Sequence, residues 1–202
     1  MFISFEGIEA SGKSTLMKGV GSALRERGYE TLLTREPGGT PAGDAVREIF
    51  LRGSAYLTPV SEMLLINASR AELVAHVIRP ALSENIAVLC DRYVHSSLAY
   101  QGYGRGLPLQ LVRMTCAAAT GGLMPDLTLY VDIDYATSHK RMTARASKPD
   151  RIEREDAPFF ERARAGYLQL ASKERNMVVL DGMQSAQDVL QAALSAASPL
   201  LS

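Results

Sequence analysis

A glycine-rich segment near the amino terminus restricts the possible folds of this chain more than any other feature; its sequence is Gly7-Ile8-Glu9-Ala10-Ser11-Gly12-Lys13-Ser14. It follows a predicted strand at 2–6 and opens a predicted helix at 13–27. Glycines let the backbone N–H groups of such a loop point inward, and the helix amino terminus adds a positive dipole, so the loop can hold an anion. The spacing is that of a P-loop, which binds a nucleoside triphosphate with Mg²⁺. The expected triphosphate contacts are Gly7, Ile8, Glu9, Ala10, Ser11, Gly12, Lys13, Ser14 and Thr15.

Three side chains of this loop have distinct expected roles. Lys13 can reach the β and γ phosphates, and the Ser14 hydroxyl can hold Mg²⁺. Glu9 is a carboxylate beside phosphates, so we expect it to face a cation or a hydroxyl rather than the triphosphate. A solvated loop carboxylate is the alternative interpretation of Glu9.

Short apolar runs alternate with longer helical patterns along the whole chain. The predicted strands lie at 2–6, 30–34, 86–90, 127–132 and 177–180. The predicted helices lie at 13–27, 42–52, 61–84, 109–119, 136–146, 158–174 and 186–196. This alternation predicts a three-layer α/β/α fold of the P-loop NTPase type, with a five-stranded parallel sheet and a helical lid. With no repeat or linker in view, we expect one domain over 1–202 and ligands at the carboxyl ends of the strands.

Composition excludes several classes of function. Lys plus Arg and Asp plus Glu number 22 each, so no global basic field attracts the chain to nucleic acid or to a membrane surface. Cys90 and Cys116 lack the spacing of a metal site and are expected to be buried, reduced thiols. The first residues do not have the pattern of a signal peptide, and no apolar run is long enough to span a bilayer. We therefore expect a cytoplasmic protein.

Polar side chains follow the second and third predicted strands. Thr34-Arg-Glu-Pro-Gly-Gly-Thr40 combines an arginine with a kinked, glycine-rich turn that permits close approach to a ligand. In Asp91-Arg92-Tyr93, the carboxylate can hold Mg²⁺ through water and the arginine can bind a phosphate bidentately. The next segment, 96–102, adds hydroxyls, an amide and an aromatic ring. Their shared position beside the P-loop predicts an acceptor pocket.

These motifs carry a family resemblance. The sequence resembles bacterial thymidylate kinases over essentially its whole length, and the run Arg35-Glu-Pro-Gly-Gly-Thr40 is far more specific to them than a P-loop alone. The resemblance implies transfer of a phosphoryl group from ATP to dTMP, with Mg²⁺ as cofactor. The motifs that carry it are the P-loop with Glu9, Thr34–Thr40, Asn67-Ala-Ser-Arg70, Asp91-Arg-Tyr93, Ala99-Tyr-Gln-Gly102 and Asp150-Arg-Ile-Glu153.

The resemblance also implies individual roles. Arg92, helped by Arg35 and Arg47, would hold the dTMP phosphate. Glu9 would contact the sugar on its 3′-hydroxyl side and orient Arg92. Asp91 would serve the metal with Ser14, which leaves Asp132-Ile133-Asp134 as a cap for the next helix. Arg70 and Ser97 would bind the thymine edge, Tyr100 would lie under the deoxyribose and disfavour a 2′-hydroxyl, and Glu36 and Gln101 would complete the pocket.

One position departs from the family pattern. Family members usually carry Phe four residues before the arginine matched by Arg70, and that ring stacks on thymine. Here the position is Ile66, which can pack against a base but cannot stack as an aromatic ring. Ile66 therefore has two interpretations: a residue of the dTMP pocket or a core residue of an amphipathic helix.

A basic segment between two helical patterns predicts a mobile lid at about 141–153. Phosphoryl transfer needs cations near the γ-phosphoryl group, and the P-loop supplies only Lys13. Thymidylate kinases without a P-loop arginine resemble this chain and supply that cation from the lid. Arg145 is the expected catalytic residue, with Arg141 and Arg151 as further candidates; a solvated basic surface is the alternative.

Two other classes of function remain as alternatives. One is a P-loop kinase that acts on a different monophosphate or on a deoxynucleoside, although Arg35, Arg47 and Arg92 favour a phosphorylated acceptor. The other is a nucleotide-dependent switch, which would give the acceptor motifs no purpose. The resemblance further implies a homodimer formed around the predicted helix at 61–84, whose apolar surface could otherwise belong to the core.

Overall fold

Five parallel strands form a single sheet in the computed structural model, which describes residues 1–53, 56–145 and 148–201. The strands are β1 (Phe2–Glu6), β2 (Thr31–Arg35), β3 (Ala87–Asp91), β4 (Leu127–Asp132) and β5 (Met177–Asp181). Their spatial order is β2-β3-β1-β4-β5. β2 and β3 lie on one side of β1, and β4 and β5 lie on the other. The strand order therefore reverses beside β1, and folds of this kind bind ligands at such a switch point. The predicted fold class is confirmed.

The strand register brings the polar strand ends together. Asp91 pairs with Phe5 of β1 and with Arg35 of β2, so the ends of three strands meet at one edge. The second and third strands start and end one residue later than predicted, and β5 extends to Asp181. Arg35 and Asp91 count as strand residues because they form a register pair, which the pattern of apolar residues does not reveal.

Helices cover both faces of the sheet. They are α1 (Lys13–Glu26), α2 (Pro41–Arg52), α3 (Pro59–Leu73), α4 (Arg79–Ser83), α5 (Val94–Ser97), α6 (Leu109–Thr120), α7 (Tyr135–Thr143), α8 (Ala157–Ala171) and α9 (Ala186–Ala197). Two π-helical segments, Val74–Ile78 and Leu98–Gly104, continue α3 and α5, and a 3₁₀ turn, Ser198–Leu200, follows α9. Within the described part of the chain, no helix is long and apolar enough to cross a membrane.

The apolar residues divide between two layers because alternate residues of each strand face opposite sides of the sheet. Ile3 and Phe5 pack with α1 and α9, whereas Phe2 packs with the helices of the other layer, which include α3 and α8. β1, β3 and β4 are buried along nearly their whole length, which fits their mostly apolar sequences.

Helix starts follow local capping chemistry. Thr40 and Thr58 accept hydrogen bonds from the first turns of α2 and α3, and each is followed by a proline at the start of the helix. Asp134 caps α7 through the Thr137 N–H, which confirms a cap in the acidic strand end. Asp132 instead receives two hydrogen bonds from Arg164, at 2.8 and 2.7 Å.

Three predicted helices differ from the structure by more than one residue at an end, and the other four differ by a single residue. The predicted helix at 61–84 starts at Pro59 and contains the π-helical segment, after which α4 ends at Ser83. α7 ends at Thr143, whereas the prediction continued to 146, which lies outside the described residues together with 147. α8 starts and ends slightly earlier than predicted. The described part of the predicted lid comprises the end of α7 and a turn around 151–154.

Candidate active site

The P-loop wraps around the amino end of α1. Gly7 and Gly12 adopt φ values of 150° and 97°, and a Cβ at Gly7 would lie 2.7 Å from the Val131 carbonyl oxygen, so only glycine fits there. Lys13 is buried and its Nζ donates to the Ile8 carbonyl oxygen at 3.3 Å. Burial lowers the pKa of Lys13, and the nearby Arg92 lowers it further. An anion bound here would favour the charged lysine, because opposite charge stabilises the cation.

The two expected metal ligands lie together. The Ser14 hydroxyl donates a short hydrogen bond to Asp91 Oδ2, and both residues line the cavity described below. The described residues contain no cluster of three or more His, Cys, Asp or Glu that could enclose a metal alone. One hydroxyl and one carboxylate fit Mg²⁺, which takes its remaining ligands from phosphate oxygens and water.

Arg92 is the centre of the acceptor side. It has φ 72°, an uncommon left-handed conformation for a side chain other than glycine, and such conformations concentrate at functional sites. Its Nη2 lies 2.7 Å from Glu9 Oε1, and its guanidinium lies over the Tyr100 ring, 5.0 Å from the centroid. The Tyr100 hydroxyl donates to Glu9 Oε2 at 2.6 Å. Glu9 thus faces a cation and a hydroxyl, which is the position expected for a carboxylate beside the phosphate loop.

A buried carboxylate that sequence reasoning missed supports this arrangement. Glu6 is inaccessible to solvent; its Oε1 accepts the Tyr93 N–H at 2.8 Å, and its Oε2 accepts from the Ser96 and Tyr167 hydroxyls. Ser96 also accepts from Arg92 at 3.2 Å. Glu6 therefore fixes the backbone next to Arg92. The sequence signal that could have identified Glu6 is its position as an acidic residue at the end of a mostly apolar strand.

A cavity of about 290 Å³ connects the P-loop to these groups. Its wall also contains residues that were not predicted, among them Phe50, Leu51 and Ile152. Gly7, Ile8, Ser11, Arg70, Arg141 and Arg151 are predicted site residues that do not line it. The predicted residues that do line it are Glu9, Ala10, Gly12, Lys13, Ser14, Thr15, Arg35, Glu36, Arg47, Ile66, Asp91, Arg92, Ser97, Tyr100, Gln101 and Arg145.

Two further arginines face the same cavity as Arg92. Arg47 Nη1 donates to the Pro37 carbonyl oxygen at 2.9 Å, while burial lowers its pKa and the neighbouring Arg35 lowers it further. Arg35 is half-exposed and lies 3.4 Å from Asp44 Oδ1. Three guanidinium groups that line one cavity favour an anionic ligand there, because opposite charge stabilises the cations.

Arg70 does not line the cavity, contrary to its expected contact with the thymine edge. It is fully buried, and its Nη2 lies 2.7 Å from Glu36 Oε2. Its other protein acceptors are Asn67 Oδ1, Ser97 Oγ, Cys116 Sγ and the Tyr93 carbonyl oxygen. In this structure, Arg70 holds Glu36 and Ser97, which do line the cavity.

Glu36 and Gln101 supply polar atoms to the cavity. Glu36 Oε1 and Gln101 Oε1 are buried, and neither has a hydrogen-bond partner among the residues that the structure describes. Burial raises the pKa of Glu36 to about 7, although Arg70 acts in the opposite direction. Unpaired buried oxygens are costly, so a bound ligand with hydrogen-bond donors would relieve that cost.

The three lid arginines have different surroundings. Arg145 is half-exposed, lines the cavity and lies 3.4 Å from Glu153 Oε1. Arg141 donates to the carbonyl oxygens of Ala10 and Gly182, at 3.4 and 3.2 Å. Arg151 does not line the cavity and pairs with a buried acid on α3, Glu62. Of the three candidates, Arg145 has the position that suits a cation for the γ-phosphoryl group.

A second cavity of about 470 Å³ adjoins the P-loop on the other side. Ser11, Gly12 and Thr15 contribute to its wall, together with Arg141 and the start of α9 near Gln187. Its wall is mostly apolar, and Arg141 lies across it towards the loop at Gly182. An apolar space beside a phosphate-binding loop suits the base of a nucleotide.

Comparison with known proteins identifies the family. The thymidylate kinase family profile matches residues 5–193. The thymidylate kinase of Deinococcus radiodurans is 48% identical over 198 residues, which cover 98% of this chain and 95% of that protein. The thymidylate kinase of Kosmotoga olearia is 47% identical over 94% of this chain and 91% of its own length. The crystal structure of the Ehrlichia chaffeensis thymidylate kinase superposes with a TM-score of 0.78 at 30% identity, covering 96% and 97% of the two chains.

The matches extend over nearly the whole chain, and they include both the P-loop and the acceptor motifs. The strand order and the site geometry described above fit the same assignment. The chain belongs to the thymidylate kinase family.

Proposed function

We propose that this protein carries out its reaction, the transfer of a phosphoryl group from ATP to dTMP, between the P-loop and the part of the cavity lined by Arg35, Arg47 and Arg92. The observation that carries this placement is that Lys13, Asp91 and Arg92 lie at one cavity, at the carboxyl ends of neighbouring strands. A donor triphosphate on the loop and an acceptor phosphate at Arg92 would then be adjacent.

ATP would bind with its phosphates on the P-loop, where Lys13 contacts the β and γ phosphates. The second cavity would hold the adenine, and Arg141 would contact its ring face. Mg²⁺ is the proposed cofactor, bound by Ser14 and by Asp91 directly or through water, and it would supply charge neutralisation at the phosphates.

dTMP would bind with its phosphate among the guanidinium groups of Arg35, Arg47 and Arg92. Tyr100 is held by Glu9 and would lie against the deoxyribose, so that a 2′-hydroxyl is disfavoured. The base would then extend towards Ser97, Gln101 and Glu36, which line the cavity. Arg70 would influence base recognition indirectly, because it orients Ser97 and Glu36.

Catalysis would rest on position and charge. The attacking oxygen of dTMP is already ionised at neutral pH, so no strong general base is needed. The arginines would align this oxygen with the γ-phosphorus, and Lys13 and Arg145 would stabilise the charge on the transferred group. Arg145 would leave its weak, half-exposed pairing with Glu153 as the lid closes and excludes water.

Several broader features belong to the same proposal. Residues 1–202 would form one domain with a mobile lid at about 141–153, in a cytoplasmic protein whose cysteines stay reduced, without nucleic-acid or membrane partners. A homodimer is supported by exposed apolar side chains on two adjacent helices. These side chains are Val60 and Leu64 on α3 and Leu111 and Met114 on α6.

A substrate panel tests the proposed function. ADP release would be measured with ATP, Mg²⁺ and, separately, dTMP, dUMP, dCMP, dAMP, dGMP, UMP or thymidine, with Lys13→Ala as background. We expect dTMP to give the highest kcat/KM, dUMP to follow and thymidine to be inactive. If another monophosphate is turned over faster, the proposed roles of the residues around the base would be wrong, while the phosphate-binding roles would stand. Tight ATP binding without ADP release on any acceptor would favour a nucleotide-dependent switch.

A further inference from the structure

Aromatic rings are scarce in the proposed acceptor cavity. Among its described lining residues, Phe50 and Tyr100 carry the rings. Tyr100 is committed to the phosphate and sugar end, because its hydroxyl bonds Glu9 and Arg92 lies over its ring. A planar base elsewhere in the cavity therefore has one ring available for stacking, that of Phe50.

Phe50 is held in place by the lid. Its ring is buried in the last turn of α2, and the Arg151 guanidinium lies over one face, 4.5 Å from the centroid. Arg151 Nε also donates to the Phe50 carbonyl oxygen at 2.7 Å, and its backbone N–H donates to the Leu51 carbonyl oxygen at 3.1 Å. With one face covered, the ring can offer an occupant only its other face and its edges.

A buried acid fixes Arg151 in turn. Glu62 is 1% exposed, and its Oε1 lies 2.5 Å from Arg151 Nη1. Arg105 also pairs with Glu62, at 3.0 Å, and the same guanidinium group pairs with Glu155 at 2.6 Å. Asp150 Oδ1 accepts the Ile152 N–H at 2.9 Å and so stabilises the turn that carries Arg151. Arg151 therefore connects the lid to α2 through its contacts with Phe50, and its charge is neutralised by Glu62.

The surroundings of Phe50 match a pyrimidine base. Leu51, Ile66 and Ile152 line the same cavity and provide apolar contacts, although none of them can stack as a ring. Glu36 and Gln101, each with an unpaired buried oxygen, also line this cavity. Apolar side chains with a few fixed polar atoms are typical of a site that recognises a heterocycle.

We propose that Phe50 stacks on the thymine ring of dTMP, with Arg151 as the residue that positions the Phe50 ring. This inference rests on the proposed acceptor site. It assigns a substrate contact to the end of α2, and it explains how a cavity with an aliphatic residue at position 66 can still bind a planar base.

Calorimetric titration with dTMP tests the proposal, after wild-type turnover of dTMP has been established. We expect Phe50→Leu to weaken dTMP binding about tenfold, equivalent to about 1.4 kcal/mol, while ATP affinity changes less than about twofold. Adding Ile66→Phe to Phe50→Leu should recover most of the lost affinity, because it returns a ring to the same cavity wall. Phe2→Leu is the matched control, since Phe2 is equally buried but does not line the cavity.

Unchanged dTMP affinity in Phe50→Leu would overturn the proposal, as would an equal loss in Phe2→Leu or an equal loss of ATP binding. A wild-type enzyme that does not phosphorylate dTMP would instead contradict the proposed function, and with it the assignment of this cavity to dTMP. A second readout does not depend on affinity. The chain contains no tryptophan, so Phe50→Trp is a single reporter whose fluorescence should change saturably with dTMP. Ile49→Trp, at a neighbouring position that is 53% exposed, should respond little; an equal response there, or none at position 50, would contradict stacking.

Discussion

Replacing Arg70 by methionine removes the cation that faces Glu36 inside the protein. Both side chains are almost inaccessible, at 0% and 2% exposure, and their closest atoms are 2.7 Å apart. At pH 8, where Glu36 of the wild type is ionised, loss of one partner of a buried ion pair typically costs about 3–5 kcal/mol, because the other group is left buried without compensation. At about 2–4 °C per kcal/mol for a chain of this size, we expect the Tm of Arg70→Met to fall by roughly 6–20 °C.

The double variant Glu36→Gln/Arg70→Met identifies the source of this loss. It removes the unpaired carboxylate along with the arginine, so the destabilising effects of the two substitutions should not be additive. We expect the double variant to be more stable than the sum of the single effects by about 1–3 kcal/mol. Additive effects would show that Arg70 stabilises the fold through its other acceptors, such as Asn67 and Ser97, rather than through Glu36.

The loss in Arg70→Met should also depend on pH. The pKa of Glu36 in the folded protein is about 7, above the ordinary 4.5, so its contribution to stability is fully present below pH 4.5 and declines as pH rises through 7. Removing Arg70 removes a charge that lowers this pKa, so in the variant the decline continues to higher pH. We therefore expect the deficit at pH 8 to exceed that at pH 6 by about 1 kcal/mol.

Urea denaturation followed by far-UV circular dichroism, at pH 6 and pH 8, measures these differences for the wild type, both single variants and the double variant. The reasoning would be refuted by a deficit below about 1 kcal/mol in Arg70→Met. A deficit that grows at pH 6 would also refute it, since that is the opposite sign.

Three further predictions concern catalysis and assembly. Lys13→Ala and Arg92→Ala should each lower kcat at least about a hundredfold in an ADP-release assay; near-normal turnover would exclude the proposed roles. Arg145→Ala should lower kcat with the KM for dTMP nearly unchanged, whereas a raised KM alone would place this residue in the acceptor pocket. Light scattering at micromolar concentration should give about twice the 21.9 kDa of one chain, and a mass of one chain would contradict the homodimer.

Much of the fold follows from local patterns in the sequence. The P-loop, the five strands and the helices of both layers are visible as runs and periods over a few residues. The polar strand ends, Asp91 and Arg92, could be assigned to one site because parallel strands end at the same edge of a sheet. The helix from Val94 to Gly104 was missed, because its polar, aromatic and glycine residues have weak helical preference. That segment packs extensively against α8.

The candidate site, like the fold, was predicted only in part from the sequence. Sixteen predicted residues line the cavity, yet the sequence could not show that Arg70 is enclosed by protein acceptors or that Arg151 is fastened to Glu62. Nor could it show that Phe50 faces the cavity while Glu6 supports Arg92 from behind.

The sequence by itself determined the phosphate-binding loop, the order of strands and helices along the chain, and the motifs that identify the family. These depend on backbone conformations and periodicities set by neighbouring residues. Only the tertiary structure decided which arginines face the cavity and which face buried acids. Burial and charge neutralisation depend on groups far apart in the chain, as with Arg151 and Glu62, which are 89 positions apart.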